Sequence, residues 1–125
     1  MAPGSLLLVA AGSAVGGALR FAIGSALAPR AALAFPTATL LVNVAGSLLL
    51  GVLLRDAPAT GEASALRLAL TVGLCGGFTT FSTFGYEAVR LVQGGAAARA
   101  ALYVALSVGL SLLAVAAGLA IGRRG

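Results

Sequence analysis

Four long stretches of this chain carry no charged side chain at all: residues 1–19, 31–54, 68–86 and 100–122. A helix needs about 20 apolar residues to cross the hydrocarbon core of a bilayer, so each run is long enough to span it. Charged residues make up 9% of the 125 positions and hydrophobic residues 60%, where a soluble domain carries roughly 25% charged. Too few charges remain to solvate the outside of a globule, and much of the surface must face lipid. The reading is an all-α, multi-pass membrane protein forming one membrane domain over 1–125, with helices near 5–28, 36–54, 66–91 and 97–122. Pro29 closes the first helix. Pro36 suits the first turn of the second, where a missing N–H costs nothing. The loop Asp56-Ala57-Pro58-Ala59-Thr60-Gly61 and the turn Gln93-Gly94-Gly95 separate the later spans.

The formal net charge of +5 does not make a nucleic-acid binder. Such a protein clusters its basic side chains into a patch, whereas here they stand mostly alone along the chain. A secretory signal would place basic residues before the apolar stretch, but the first charge is Arg20, so the first helix is expected to stay in the mature protein. The single Cys75 excludes an internal disulfide framework and any Cys-rich metal site. With no His, no Lys and three scattered acids, the usual acid–base and metal-assisted constellations of an enzyme cannot be assembled.

Four spans put both termini on one side, together with Arg55, Arg67, Arg123 and Arg124; the other side holds Arg30, Arg90 and Arg99, with Arg20 near the same end. Lys/Arg bias orients a membrane protein, and here it almost vanishes. That balance reads as insertion in both orientations, the alternative being a weak bias resolved one way. With both orientations present, an antiparallel homodimer is the natural assembly, since twofold pairs dominate oligomers. Small residues four apart, such as Gly12 and Gly16 or Gly118 and Gly122, let helix backbones approach closely in lipid.

Polar residues inside a membrane line a pathway or bond another helix. Thr39, Asn43 and Ser47 share one face of the second helix, as Tyr103, Ser107 and Ser111 share one of the fourth. Ser47 alone reads as helix glue; the amide and the phenol need partners and read as pathway. In the third helix, Gly76 and Gly77 precede β-branched and aromatic residues, a poor continuous helix, so a break near its middle is expected. Carbonyls freed by such a break suit a hard cation such as sodium. Phe81 and Phe84 lie near one face, and their positive ring edges could meet an anion, although periodicity alone favours core packing. Donors are plentiful, and the only acid within the spans is Glu87 near the third helix's end, so the interior chemistry favours an anion over a proton-coupled cation.

These residues resemble the CrcB/Fluc fluoride ion channel family. The likeness rests on Gly16-Gly17-Ala18-Leu19-Arg20-Phe21, Asn43-Val44-Ala45-Gly46-Ser47 and Gly76-Gly77-Phe78-Thr79-Thr80-Phe81-Ser82-Thr83-Phe84. It implies a fluoride-selective channel in the cell (plasma or inner) membrane that passively exports fluoride from the cytoplasm. It implies an antiparallel dual-topology homodimer with two pores, each built from both subunits. It implies a structural sodium ion at the interface, held by main-chain oxygens of Gly76 and Thr79. Phe81 and Phe84 would be the aromatic pair facing fluoride and Asn43 the pore amide, with Ser82 and Thr83 as neighbouring contacts. Tyr103, Ser107 and Ser111 would be the polar track and Arg20 the vestibule arginine. Phe21 stands where the family often has Tyr. Two other classes compete: a structural or accessory membrane subunit whose stripes only join helices, and a four-helix multidrug transporter. The latter wants an acid in the first helix, and residues 5–28 have none.

Overall fold

A computed structural model describes residues 2–57 and 64–121, and everything described is helix or short connection. Helix α1 is Pro3–Ala26, with proline in its first turn, where no intrahelical N–H is required. It closes at Ala26, two residues before the expected end: the Leu27 N–H turns back to Ile23 O at 2.9 Å, and Pro29 disfavours helical backbone at Ala28. Helix α2 is Thr37–Leu54, and Pro36 is its cap rather than part of its first turn. The expected loop beyond Ala57, Glu62, the last residue assigned to the fourth helix, and Arg123 and Arg124 lie outside the described residues.

The third span is compound. Helix α3 covers 65–78 as an α-helical turn Ala65–Leu68, a π-helical stretch Ala69–Cys75 and a final turn Gly76–Phe78. Ser64 starts it, its Oγ accepting the Arg67 N–H at 3.1 Å, the ordinary use of serine at a helix N-terminus. Thr79 (φ −87°, ψ 159°) and Thr80 (φ −150°, ψ 123°) are then extended. Helix α4, Phe81–Gln93, restarts with the Thr80 hydroxyl accepting the Thr83 N–H at 3.3 Å. The expected break is therefore present, two residues beyond the glycine pair. At the end of α4, Gly95 takes φ +87°, which glycine adopts without strain. The Ala96 N–H reaches Leu91 O at 2.8 Å, closing the helix in the manner of a Schellman motif. Helix α5 is Ala97–Ala120.

Two close backbone seams organise the bundle. Gly12 and Gly16 of α1 lie against α3, and Gly73 and Gly77 of α3 lie against α1; a Cβ on any of the four would fall within 2.7 Å of a backbone oxygen. Gly51 and Gly118 join α2 to α5 in the same way, with Cβ clearances of 2.4 and 2.5 Å. Small residues at four-residue spacing thus serve the contacts expected of them in lipid. Between α4 and α5, Phe84, Leu91, Ala100 and Tyr103 form the buried cluster, with Leu33, Phe35 and Leu40 packed against it. Elsewhere large apolar side chains point outward, Leu7 and Leu113 among them. Among the described residues, four spans are long and apolar enough to cross a membrane, and this outward apolar surface is what a multi-pass membrane protein turns to lipid or to another membrane subunit.

Candidate functional site

The break in the third span leaves backbone groups that lipid cannot satisfy, and the neighbouring helices supply what they need. Asn43, at mid-height on α2, grips Thr80 at two points. Its Oδ1 accepts the Thr80 N–H at 2.8 Å, and its Nδ2 donates to the Thr80 carbonyl at 3.0 Å. An amide carries two N–H donors, so this clamp leaves one free. Arg20 of α1 reaches the same region, its Nε donating to Gly77 O at 3.2 Å. The Cys75 carbonyl takes both the Thr79 N–H at 3.0 Å and the Thr79 hydroxyl at 2.9 Å. The carbonyl oxygens of Gly76 and Thr79 take no part in these bonds.

Two cavities flank the break. The outer one, about 550 Å³, lies between the end of α1, the segment leading into α2, and α4; Arg20, Thr39, Thr83, Glu87 and Arg90 are on its walls. The inner one, about 370 Å³, is bounded by Asn43, Ser47, Phe81, Phe84, Ser107 and Ser111, with Gly76 and Thr79 also on its edge. Among the described residues, Thr80 is the one that lines both.

The residues singled out in the sequence divide accordingly. Asn43, Phe81, Phe84, Ser107 and Ser111 meet at the inner cavity, and Arg20, Thr39 and Thr83 at the outer. Phe81 is 83% exposed beside the inner cavity, whereas Phe84 is buried; their ring centroids are 5.6 Å apart. The Ser107 Oγ is buried without a hydrogen-bond partner among the described residues, a costly state unless something else meets it. Ser82 lines neither cavity and lies 3.5 Å from the Thr80 hydroxyl. Tyr103 also lines neither: it is fully buried, edge-on to Phe35 at 5.4 Å, and its hydroxyl donates to Glu87 Oε1 at 3.0 Å.

Thr80 and Arg90 were not singled out by the sequence reading. The spacing of Thr80 from Asn43 carries no periodic signal, because the two meet across helices. Arg90 counted only toward charge balance, although its position one turn after Glu87 on the same helix was available.

The family model described as CrcB-like protein, Camphor Resistance (CrcB), matches residues 7–119. A protein named fluoride-specific ion channel FluC from Rhizobium meliloti (strain 1021) is 44% identical, the match covering 94% of this chain and 95% of that one. One of the same name from Rhizobium etli (strain ATCC 51251 / DSM 11541 / JCM 21823 / NBRC 15573 / CFN 42) is 47% identical, covering 94% of each. Another from Methylobacterium nodulans is 47% identical over 94% of this chain and 95% of its own.

Proposed function

Since this chain belongs to the CrcB family, we propose that it is a fluoride-selective ion channel. The observation that carries this reading is the end-to-end similarity to relatives named as fluoride-specific channels. The cavities supply a chemistry that suits it. Fluoride is small and strongly hydrated, so a pore must replace its water with donors at close range while holding it weakly enough to let it leave. Arg20, Thr39 and Thr83 offer a guanidinium and hydroxyls on the outer side. Past Thr80, the spare Asn43 N–H and the Ser111 hydroxyl stand on the inner side, with the unpartnered Ser107 hydroxyl buried in the same wall. Phe81 and Phe84 stand at the same cavity, where ring edges carry partial positive charge. The movement is passive and lowers cytoplasmic fluoride by letting it run down its gradient. No catalytic step is involved, and the protein is a channel rather than an enzyme.

The assembly we favour is an antiparallel homodimer of chains inserted in both orientations. The outward-facing Phe81, 83% exposed beside the inner cavity, suits a wall completed by a second copy. The Gly76 and Thr79 carbonyls fit a sodium ion at such an interface, because neutral backbone oxygens not engaged at the break are the donors a hard cation takes. A bound sodium would supply a fixed positive charge between the copies and would not itself be transported.

The test is anion efflux from liposomes loaded with purified protein, with sodium on both sides and fluoride and chloride followed by ion-selective electrodes. Rapid loss of fluoride without chloride is expected. An intact, reconstituted protein that releases neither ion, or both alike, refutes the channel reading. Replacing sodium by a large organic cation should stop efflux; undiminished efflux would refute the sodium assignment alone.

A further inference from the structure

Among the described residues, three charged side chains line the outer cavity: Arg20, Glu87 and Arg90. Two of them are engaged with the protein. Arg20 Nε is held on Gly77 O, and Glu87 accepts the buried Tyr103 hydroxyl. Their formal charges cancel. Arg90 sits in the last turn of α4, three residues after Glu87. It is exposed, and its guanidinium makes no hydrogen bond or ion pair among the described residues. Arg90 therefore adds a free positive charge to this lining, beyond the Arg99 guanidinium held at the Leu33 carbonyl of its wall.

The wall of the mouth is held by other groups. The Arg99 guanidinium donates to Leu33 O, the Leu33 side chain packs over Gly94, and Phe35 meets Tyr103 edge-on. Changing Arg90 should thus alter the charge of the cavity without releasing the segment that shapes it.

We propose that Arg90 is an anion-gathering residue of this channel: it adds a free positive charge to the outer cavity and concentrates fluoride there before entry. The inference rests on the channel reading and deepens it. Low-dielectric walls focus the field of a charge inside a cleft. A unit charge about 8 Å from a monovalent anion in a water-like medium raises its local concentration about two- to threefold. Salt removes this gain, because the screening length falls from about 30 Å at 0.01 M to well under 10 Å at several tenths molar.

The experiment measures fluoride efflux at sub-saturating fluoride, in about 10 mM and about 300 mM total ionic strength set with an impermeant salt. Relative to wild type, R90Q should be about two- to threefold slower in low salt, and R90E about four- to ninefold slower because it changes the local charge by two units. R90K should match wild type, and all four proteins should converge in high salt. Wild-type rates for R90Q in low salt overturn the proposal, as does a deficit equal at both ionic strengths. Charge variants that fail to elute as wild-type protein would assign Arg90 a structural role and overturn it too. Absence of fluoride efflux from the wild type refutes the channel reading instead.

Discussion

Gly16 offers a direct test of how the first helix positions the break. A Cβ added there would lie 2.3 Å from Leu74 O, 2.7 Å from Phe78 N and 3.1 Å from Gly77 C. Ordinary carbon–oxygen contacts begin near about 3.3 Å, so α1 and α3 would have to part by about 1 Å at this height. All three obstructing atoms are backbone, and no rotamer change clears them. Overpacking of this kind costs about 1–3 kcal/mol. Helix propensity acts in the opposite direction, since alanine is better than glycine by about 1 kcal/mol. The next residue separates the two effects: a Cβ on Gly17 meets nothing within 4 Å. In the difference between Gly16→Ala and Gly17→Ala the propensity gain cancels, leaving G16A less stable by about 1–3 kcal/mol. Unfolding by SDS titration in mixed micelles, followed by circular dichroism, reads that difference. G16A should also slow fluoride efflux, because the atoms it displaces run directly into Thr79 and Thr80. Equal stabilities, or a more stable G16A, would refute the claim that glycine contact with α1 holds the break in place.

Two further substitutions probe the inner cavity. Asn43→Ala strips both bonds from Thr80. Interhelical bonds in membranes average about 0.6 kcal/mol each and unmet buried groups cost about 1–3, so a loss of about 1–3 kcal/mol is expected in the same titration, with efflux falling to the level of protein-free liposomes. Ser107→Ala should dissociate stability from transport. It removes a buried hydroxyl without a partner, leaving stability unchanged or raised by about 1 kcal/mol, yet it should slow efflux; a destabilised but fully active S107A would show the hydroxyl to be structural.

The spans were legible because charge-free runs of this length have few uses, and the break because paired glycines and threonines disfavour a continuous helix. Spacing marked the α1 half of the first glycine seam, Gly12 and Gly16, but not that it would meet Gly73 and Gly77. The π-helical stretch Ala69–Cys75 was not legible: its extra residue per turn leaves no mark in a pattern read at 3.6 residues. Tyr103 shows a different limit. It shares a helical face with Ser107 and Ser111, but its long side chain reaches sideways between Phe35 and Phe84 to Glu87, which periodicity does not foretell. Asn43 was picked out as an amide needing partners; that it holds both backbone groups of Thr80 depends on where α3 stops. Arg99 lies sixty-six positions from the carbonyl it holds, and no local pattern links them.

That Thr80, alone among the described residues, borders both cavities has a kinetic consequence for the proposed channel. An antechamber that fills faster than ions leave it acts as a pre-equilibrium, so its occupancy multiplies the rate of whatever step lies beyond. Depleting the outer cavity of anions and removing a donor from the inner one would then multiply their effects, and a double change at Arg90 and Ser107 would conduct, in low salt, at the product of the two single fractions.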